Sequence, residues 1–128
     1  MINILFRGRI KGKKQWVFGS LISPDCTKDG EAYIKNLKGT YKVDASTICQ
    51  YTTLCDMHKK MIFDGDILRI ISCNPQQTSV ISLVSFSQGA YHTNGKLLDW
   101  VLLSNRVEII GNIFDNPELC KAPRWKQI

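Results

Sequence analysis

The chain has 128 residues, of which 44% are hydrophobic and 22% are charged, and its formal net charge is +6. This length suits a single domain over residues 1–128, and this composition excludes a wholly disordered chain. No apolar run approaches the ~18 residues that a membrane-spanning helix needs, and the five cysteines form no Cys-x-x-Cys motif, so we expect a reduced, cytoplasmic protein with free thiols.

The first segment predicts a β-hairpin. Two apolar runs, ILFRGRI and WVFGSLI, flank the basic turn KGKKQ, which contains Gly12. Alternation along the first run places Arg7 and Arg9 on one strand face, and continuing it into the turn adds Lys11 and Lys13. Clustered cations beside an aromatic residue are typical of surfaces that bind single-stranded nucleic acid. The candidate residues are Arg7, Arg9, Lys11, Lys13, Lys14 and Trp16. The alternative is a solvated strand face with Trp16 buried in the core.

The middle of the chain reads as loop followed by short strands. Residues 23–42 are punctuated by Pro24, Gly30 and Gly39, which leaves room for one edge strand at 32–37. STICQYT and MIF predict strands joined by a turn, CDMHKK. An Asp-Gly connection then leads into the strand DILRIIS, which the Asn-Pro pair at 74–75 ends.

The last third predicts more short strands and a helix start. SVISLVSFS is β-branched along its length, and turns follow at Gln88-Gly89 and Asn94-Gly95. KLLDWVLLS fits either a helix or a strand, whereas VEIIGNIF fits a strand. Asn116 and Pro117 predict the N-cap and first turn of a short C-terminal helix. Many short strands with frequent turns indicate a mainly β fold, either a small antiparallel barrel or a sandwich.

Reactive side chains in the sequence do not form a recognisable site. Cys55 and His58 lie three residues apart in a polar turn, where nothing orients them as nucleophile and base. Asp64-Gly65-Asp66 is better explained as a tight turn than as a cation site, because no phosphate-binding glycine loop accompanies it. A zinc site would require four scattered residues to converge: Cys49, Cys55, His58 and His92. We therefore predict no catalytic residue, no metal and no cofactor, and a protein that is not an enzyme.

Five blocks of the sequence together resemble a known family, the YopX-like proteins of phages and prophages. The blocks are FRG at 6–8, WVFGSLI at 16–22, VDASTICQYTTL at 43–54, MIFDGDILRI at 61–70 and VEIIGNIFDNPEL at 107–119. Two departures concern turns. Cys49 and Thr53 stand where the family often has glycine, and His58-Lys59 falls where it often has Asn-Gly.

The resemblance implies a small antiparallel SH3-like barrel with an N-terminal hairpin and a short C-terminal helix. It implies a phage or prophage origin, and it carries over no activity and no catalytic residues.

Two functions remain open. The first is a protein-binding module, with an unknown protein or a second copy of the chain as partner, that exposes an apolar patch near Trp100 or Trp125. The second is an accessory nucleic-acid-binding protein that uses the basic hairpin. The C-terminal residues Lys121, Arg124, Trp125 and Lys126 repeat the basic and aromatic pattern weakly. We expect no membrane partner.

Overall fold

A computed structural model describes residues 4–74, 76 and 78–120 of the chain. The chain divides into two compact units, Met1–Tyr51 (unit 1) and Thr52–Ile128 (unit 2). Antiparallel strands predominate among the described residues, beside one short α-helix, which confirms the mainly β prediction. No helix in this part of the chain is long and apolar enough to cross a membrane.

Unit 1 is built on the predicted N-terminal hairpin. Its strands are β1 (Phe6–Arg9), β2 (Trp16–Ile22), β3 (Ala32–Asn36), β4 (Gly39–Val43) and the first part of β5 (Cys49–Cys55). They lie in the order β4-β3-β2-β1-β5, with antiparallel neighbours throughout. Two short 3-10 turns, Pro24–Cys26 and Ala45–Thr47, precede β3 and β5. The hairpin is therefore confirmed.

Alternation along these strands builds the core of unit 1. Val17, Ala32, Ile34 and Val43 are buried and pack together, because each points to the same side of its strand. Gly19 lies where β2 and β3 approach closely. A Cβ atom there would sit only 2.2 Å from the Lys35 carbonyl oxygen, so this position requires the residue without a side chain.

The prediction of a loop over residues 23–42 was partly wrong. Instead of one edge strand, β3 and β4 form a complete hairpin with Asn36 opposite Gly39. The Asn36 side chain accepts a hydrogen bond from the Lys38 backbone N–H at 2.8 Å, which stabilises the turn. Gly39 and Lys42 obscured the strand pattern of β4 in the sequence.

Unit 2 contains two three-stranded sheets and the end of β5, beside which β6 (Met61–Phe63) lies. One sheet has the order β12-β7-β8, and the other has the order β11-β10-β9. Their strands are β7 (Asp66–Ser72), β8 (Val80–Leu83), β9 (Ser85–Ser87), β10 (Ala90–Thr93), β11 (Lys96–Leu97) and β12 (Asn105–Asn112). The helix α1 (Leu98–Ser104) connects β11 to β12 and buries Leu98 and Val101 in the core.

Two predictions in unit 2 need correction. SVISLVSFS is not one strand, because Val84 is buried and its backbone bonds to Gly65 and Asp66, which separates β8 from β9. The predicted C-terminal helix is a single 3-10 turn, Pro117–Cys120. The Asn116 side chain is not its N-cap, because it accepts a hydrogen bond from the N–H of Asn112 at 3.3 Å. The ambiguous segment KLLDWVLLS provides the α-helix.

The strand pairings among the described residues close no barrel, so the SH3-like barrel stays a prediction. The single domain over residues 1–128 also stays a prediction. The C-terminal candidates Lys121, Arg124, Trp125 and Lys126 lie outside the described residues.

Candidate binding surface on unit 1

The outward face of the β1–β2 hairpin carries arginine and aromatic side chains. The strand register pairs Arg7 with Phe18 and Arg9 with Trp16, and paired residues project from the same face. Val17 points to the opposite face and is buried in the core. Trp16 therefore lies on the outer face and is half-buried, so it does not fill the core as one interpretation of the sequence held.

The Arg7 side chain is buried within the structure. Its side chain is only 7% exposed, and its guanidinium carbon lies 4.8 Å from the centre of the Trp16 ring. This distance allows a cation–π interaction, which is strengthened when the cation is shielded from water. A guanidinium held in this way is not presented to a ligand on the outer face. Arg7 is therefore a structural residue that supports Trp16.

Lys11 is also engaged within unit 1. Its ammonium lies 2.8 Å from the Glu31 carboxylate, and this hydrogen bond and the Glu31 charge raise the pKa of Lys11. The alternation of β1 does not extend to Lys11 and Lys13. The Ile10 N–H donates to the Gln15 carbonyl and closes the turn at that point, so both lysines belong to the turn.

The turn forms a shallow cationic depression, which we call the turn depression. Its volume is about 250 Å³. It is lined by Arg9, Ile10, Gly12, Lys13, Lys14 and Asp44. Lys13 and Lys14 are exposed, and Gly12 has a φ of 82° with no atom within 4 Å of where a Cβ would lie. Of the six predicted residues, the fold thus brings Arg9, Lys13 and Lys14 together and uses Arg7 and Lys11 elsewhere.

A second concave surface, the hairpin groove, has a volume of about 400 Å³. It is lined by Gln15, Trp16, Val17, Phe18, Asn36, Leu37, Lys38 and Tyr41. The Asn36 amide donates to the Phe18 carbonyl at 2.9 Å, which fixes the β3–β4 turn against β2. Phe18 is 43% exposed and Leu37 is fully exposed. The groove therefore offers apolar surface on a rigid frame, with Lys38 as its charged residue.

Sequence reasoning missed the part of the groove formed by Phe18, Leu37 and Tyr41. A signal for Phe18 existed, because a core position at Val17 forces both of its neighbours outward. Leu37 is an apolar residue between Asn36 and Lys38, which is unusual for a turn. Tyr41 lies on β4, which was not predicted as a strand, so its position could not be read.

Unit 2 has a smaller apolar surface on its helix. Trp100 is 50% exposed, and Leu97 and Leu103 are exposed beside it at three-residue spacing. The Lys96 ammonium lies 5.0 Å from the centre of the Trp100 ring. The three-residue spacing places Trp100 and Leu103 along one side of α1, Leu97 immediately precedes the helix, and Leu98 and Val101 face the core. The surface corresponds to the patch expected near Trp100, and Trp125 lies outside the described residues.

The histidine of the β9–β10 hairpin lies beside a serine and a backbone carbonyl. His92 Nδ1 lies 3.1 Å from the Ala90 carbonyl oxygen and 3.3 Å from Ser87 Oγ. A carbonyl oxygen can only accept a hydrogen bond, so the contact with Ala90 favours the tautomer with the proton on Nδ1. In that tautomer Nδ1 cannot take a proton from Ser87.

Near the start of unit 2, the carboxylates of Asp56 and Asp66 accept hydrogen bonds from backbone N–H groups. Asp56 is buried and accepts hydrogen bonds from the N–H groups of His58, Lys60 and Ile109 at 2.9–3.0 Å. Burial favours its neutral form, but these three donors outweigh burial and hold the pKa of Asp56 below its usual value. Asp66 is likewise buried and accepts from the Phe63 N–H at 2.7 Å. These carboxylates therefore act as turn caps.

His58 and Cys55 are both exposed. His58 Nε2 lies 3.3 Å from a Glu108 carboxylate oxygen, and Arg69 contacts the other oxygen of Glu108 at 3.3 Å. None of the five cysteines, all of which lie in the described part of the chain, forms a disulfide. Across the described residues, no three histidine, cysteine or carboxylate side chains gather in a way that could hold a metal ion.

Comparison with known proteins supports the relationship suggested by the five sequence blocks. The family model described as YopX protein matches residues 5–121, which include parts of both units. Among solved structures, protein EF1440 from Enterococcus faecalis is similar, with a TM-score of 0.62 and 18% sequence identity over 94% of this chain and 100% of that chain. At this identity the similarity concerns the fold alone. No curated protein matches the sequence significantly. Because the family model covers nearly the whole chain, this protein belongs to the YopX family.

Proposed function

We propose that this protein is a non-enzymatic binding module of a phage or prophage, and that its hairpin groove binds an extended segment of a partner protein. The observation that carries the proposal is the exposed apolar lining of the groove, with Phe18 and Leu37 at its surface. Solvent-exposed apolar side chains gathered in a concavity are typical of interaction sites. Trp16 and Tyr41 add aromatic surface, and aromatic residues often contribute most of the binding energy at interfaces.

The SH3-like barrel is part of this proposal for unit 1. It is supported by contacts between the end of β4 and the end of β1. The Lys11 N–H donates to the Lys42 carbonyl at 3.1 Å, and the Asp44 N–H donates to the Arg9 carbonyl at 2.9 Å. Ile10 and Val43 form an isolated bridge between these bonds. β4 is an outer strand and is separated from β1 by β3 and β2, so these contacts curl the sheet back on itself, as barrel closure requires.

Two further elements of the proposal rest on side-chain chemistry. The non-enzymatic character is supported by the contact of His92 Nδ1 with the Ala90 carbonyl oxygen and by the backbone hydrogen bonds that Asp56 and Asp66 accept. A cytoplasmic location is supported by five cysteines that form no disulfide, since disulfides form in oxidising compartments.

The experiment that tests the proposal is selection of peptides from a random library on the whole protein. Peptides enriched on the wild type should lose about 30-fold in affinity for the Phe18→Ala/Leu37→Ala variant, because two hot-spot side chains are removed. Leu103→Ala is the matched control, since it removes an equally exposed leucine from unit 2. Affinity is measured by fluorescence anisotropy, and circular dichroism verifies that each variant is folded.

Two results would overturn the proposal. One is a failure to enrich any peptide above the background of the library. The other is peptides that bind the double variant as tightly as the wild type, or that lose affinity for Leu103→Ala instead.

Nucleic-acid binding is a second candidate function, favoured by the charge distribution. Unit 1 contains nine Lys or Arg residues against four Asp or Glu residues, so it carries five of the six net positive charges. Arg7 is buried and Lys11 is paired, so the test concerns Arg9, Lys13 and Lys14. Three phosphate contacts predict a log–log salt slope of about −2 for single-stranded DNA and about −2.7 for a duplex.

The measurement for this second candidate is fluorescence anisotropy with labelled single- and double-stranded oligonucleotides, titrated across salt. In a variant with Arg9, Lys13 and Lys14 changed to alanine, binding should no longer depend on the salt concentration in this way. A control with Lys59, Lys60 and Lys96 changed to alanine removes the same charge from unit 2 and should keep the salt dependence. If both variants lose the salt dependence equally, the oligonucleotide is attracted by the net charge of the protein alone. That result would exclude a binding site at the hairpin.

A further inference from the structure

We infer that the turn depression is an anion-binding subsite that receives an acidic side chain of the same partner segment that occupies the hairpin groove. This inference rests on the proposed function and specifies its partner. The two concavities are adjacent along the chain, since Lys14 lines the depression and Gln15 lines the groove. Consecutive Cα atoms are about 3.8 Å apart, so one bound segment can contact both concavities.

The charges around the turn leave a positive balance in the depression. Lys13 and Lys14 are exposed there, and Arg9 also lines it. Asp44 is the acidic residue of the lining, but its carboxylate already accepts hydrogen bonds from the Ser46 N–H at 3.1 Å and the Ser46 hydroxyl at 2.8 Å. These bonds hold it as the cap of the 3-10 turn Ala45–Thr47. The two exposed lysines, Lys13 and Lys14, beside one committed carboxylate favour an incoming anion.

Two other lysines near the turn, Lys11 and Lys42, lie close to carboxylates and therefore add less positive charge to this surface. Lys11 is paired with Glu31 at 2.8 Å, and Lys42 lies 3.8 Å from Asp29. An approaching anion therefore meets the least neutralised charge at Lys13 and Lys14. The open backbone at Gly12 allows close approach, because a side chain is absent at the centre of the turn. The site is thus confined to the end of the hairpin.

The shape of the combined surface favours an acidic peptide over a polynucleotide. A single strand carries a phosphate at every nucleotide and is normally followed by cations along a groove. In the hairpin groove Lys38 is the cation of the lining, whereas Lys13 and Lys14 lie together at the turn. A segment with an apolar residue for the groove and a nearby Asp, Glu or phosphorylated residue for the depression matches this distribution.

The first experiment measures the subsite by itself. The amide signals of the whole protein are followed by NMR while inorganic phosphate is added at constant ionic strength. We expect saturable shifts at residues 10–15 and at Asp44 in the wild type, and none in Lys13→Ala/Lys14→Ala. Lys59→Ala/Lys60→Ala is the charge-matched control and should behave as the wild type. Absent shifts, shifts that grow without saturating, or equal loss in the control would overturn the inference.

The second experiment connects the subsite to the groove. Peptides selected on the wild type are resynthesised with Asp or Glu changed to Asn or Gln, and each form is tested against the lysine variants. Loss of the acidic residue or of Lys13 and Lys14 should each weaken binding about three- to fivefold, and Lys13→Arg/Lys14→Arg should restore it. Removing both together should weaken binding no further than either alone, because the two changes disrupt one interaction.

The outcomes separate failure of the inference from failure of the proposed function. Peptides that need Phe18 and Leu37 but ignore the lysines would overturn the acidic partner and leave the groove intact as a binding site. Peptides that ignore the groove would overturn the proposed function itself. A short oligothymidine strand that binds more tightly than every peptide, and that depends on both concavities, would overturn the protein partner in favour of a nucleic acid.

Discussion

Replacing Thr53 with glycine should make the protein more stable. Thr53 lies in β5 with a φ of 70°, a left-handed conformation that a β-branched residue rarely adopts. For an L-residue this conformation costs about 1–2 kcal/mol, whereas glycine adopts it without steric penalty. The family often has glycine at this position, according to the resemblance described above, and the backbone geometry explains that preference.

Three contributions determine the size of the effect. Relief of the left-handed strain contributes about 1–2 kcal/mol, and the greater freedom of glycine in the unfolded chain removes about 0.5–1 kcal/mol. The Thr53 hydroxyl also donates to the Thr52 carbonyl, and losing this partly exposed bond removes about 0.5 kcal/mol. We therefore expect a net gain of about 0.25 kcal/mol in the free energy of unfolding. With an m value of about 1–3 kcal/mol per molar urea, the midpoint should rise by about 0.1–0.25 M.

The assay is urea unfolding followed by circular dichroism, with Thr53→Ala as the matched control. Alanine removes the hydroxyl and the β-branch but keeps Cβ, so most of the left-handed strain remains. Thr53→Ala should be no more stable than the wild type, and Thr53→Gly should exceed both. If Thr53→Gly unfolds at the same or a lower urea concentration than Thr53→Ala, the strain argument is refuted.

Three further predictions concern single positions. Lys59 has a φ of 63° and an exposed side chain, so Lys59→Gly should raise the melting temperature by about 2–4 °C in a thermal unfolding scan, and an unchanged value would contradict the prediction. Gly19→Ala should lower stability by about 3 kcal/mol in urea unfolding, because its Cβ would lie 2.2 Å from the Lys35 carbonyl, whereas the exposed Ser20→Ala should change little. The depressed pKa of folded Asp56 means that its stabilising contribution is present above its unfolded pKa of ~3.9 and is lost as the pH falls through the folded pKa. Asp56→Asn should therefore flatten the acid side of the stability–pH profile, and a profile parallel to that of the wild type would disprove this role.

Local sequence patterns predicted those elements whose structure depends on neighbouring residues. The Gln88-Gly89 and Asn94-Gly95 turns have the positive φ values that such pairs favour. The strand DILRIIS follows its Asp-Gly turn as expected, with Asp66 capping the turn through the Phe63 N–H. In each case the deciding interactions lie within a few residues of one another.

Elements that depend on distant partners were not predictable in the same way. SVISLVSFS has uniform β propensity, yet it divides at Val84 because that backbone bonds to the turn at Gly65 and Asp66. The segment Leu98–Ser104 became a helix because Leu98 and Val101 both reach the same core, which a helical spacing allows and a strand does not.

The basic hairpin shows where sequence information ends for this protein. By itself, the sequence determined the hairpin, its turn and the common face of Arg7 and Arg9, since alternation is a local property of a strand. Only the tertiary structure decided what each cation does. Arg7 is stacked on Trp16, Lys11 is paired with Glu31 twenty residues away, and Lys13 and Lys14 remain exposed beside the groove. A charge becomes available to a ligand only when no residue brought near by the fold neutralises it, and those residues come from other strands.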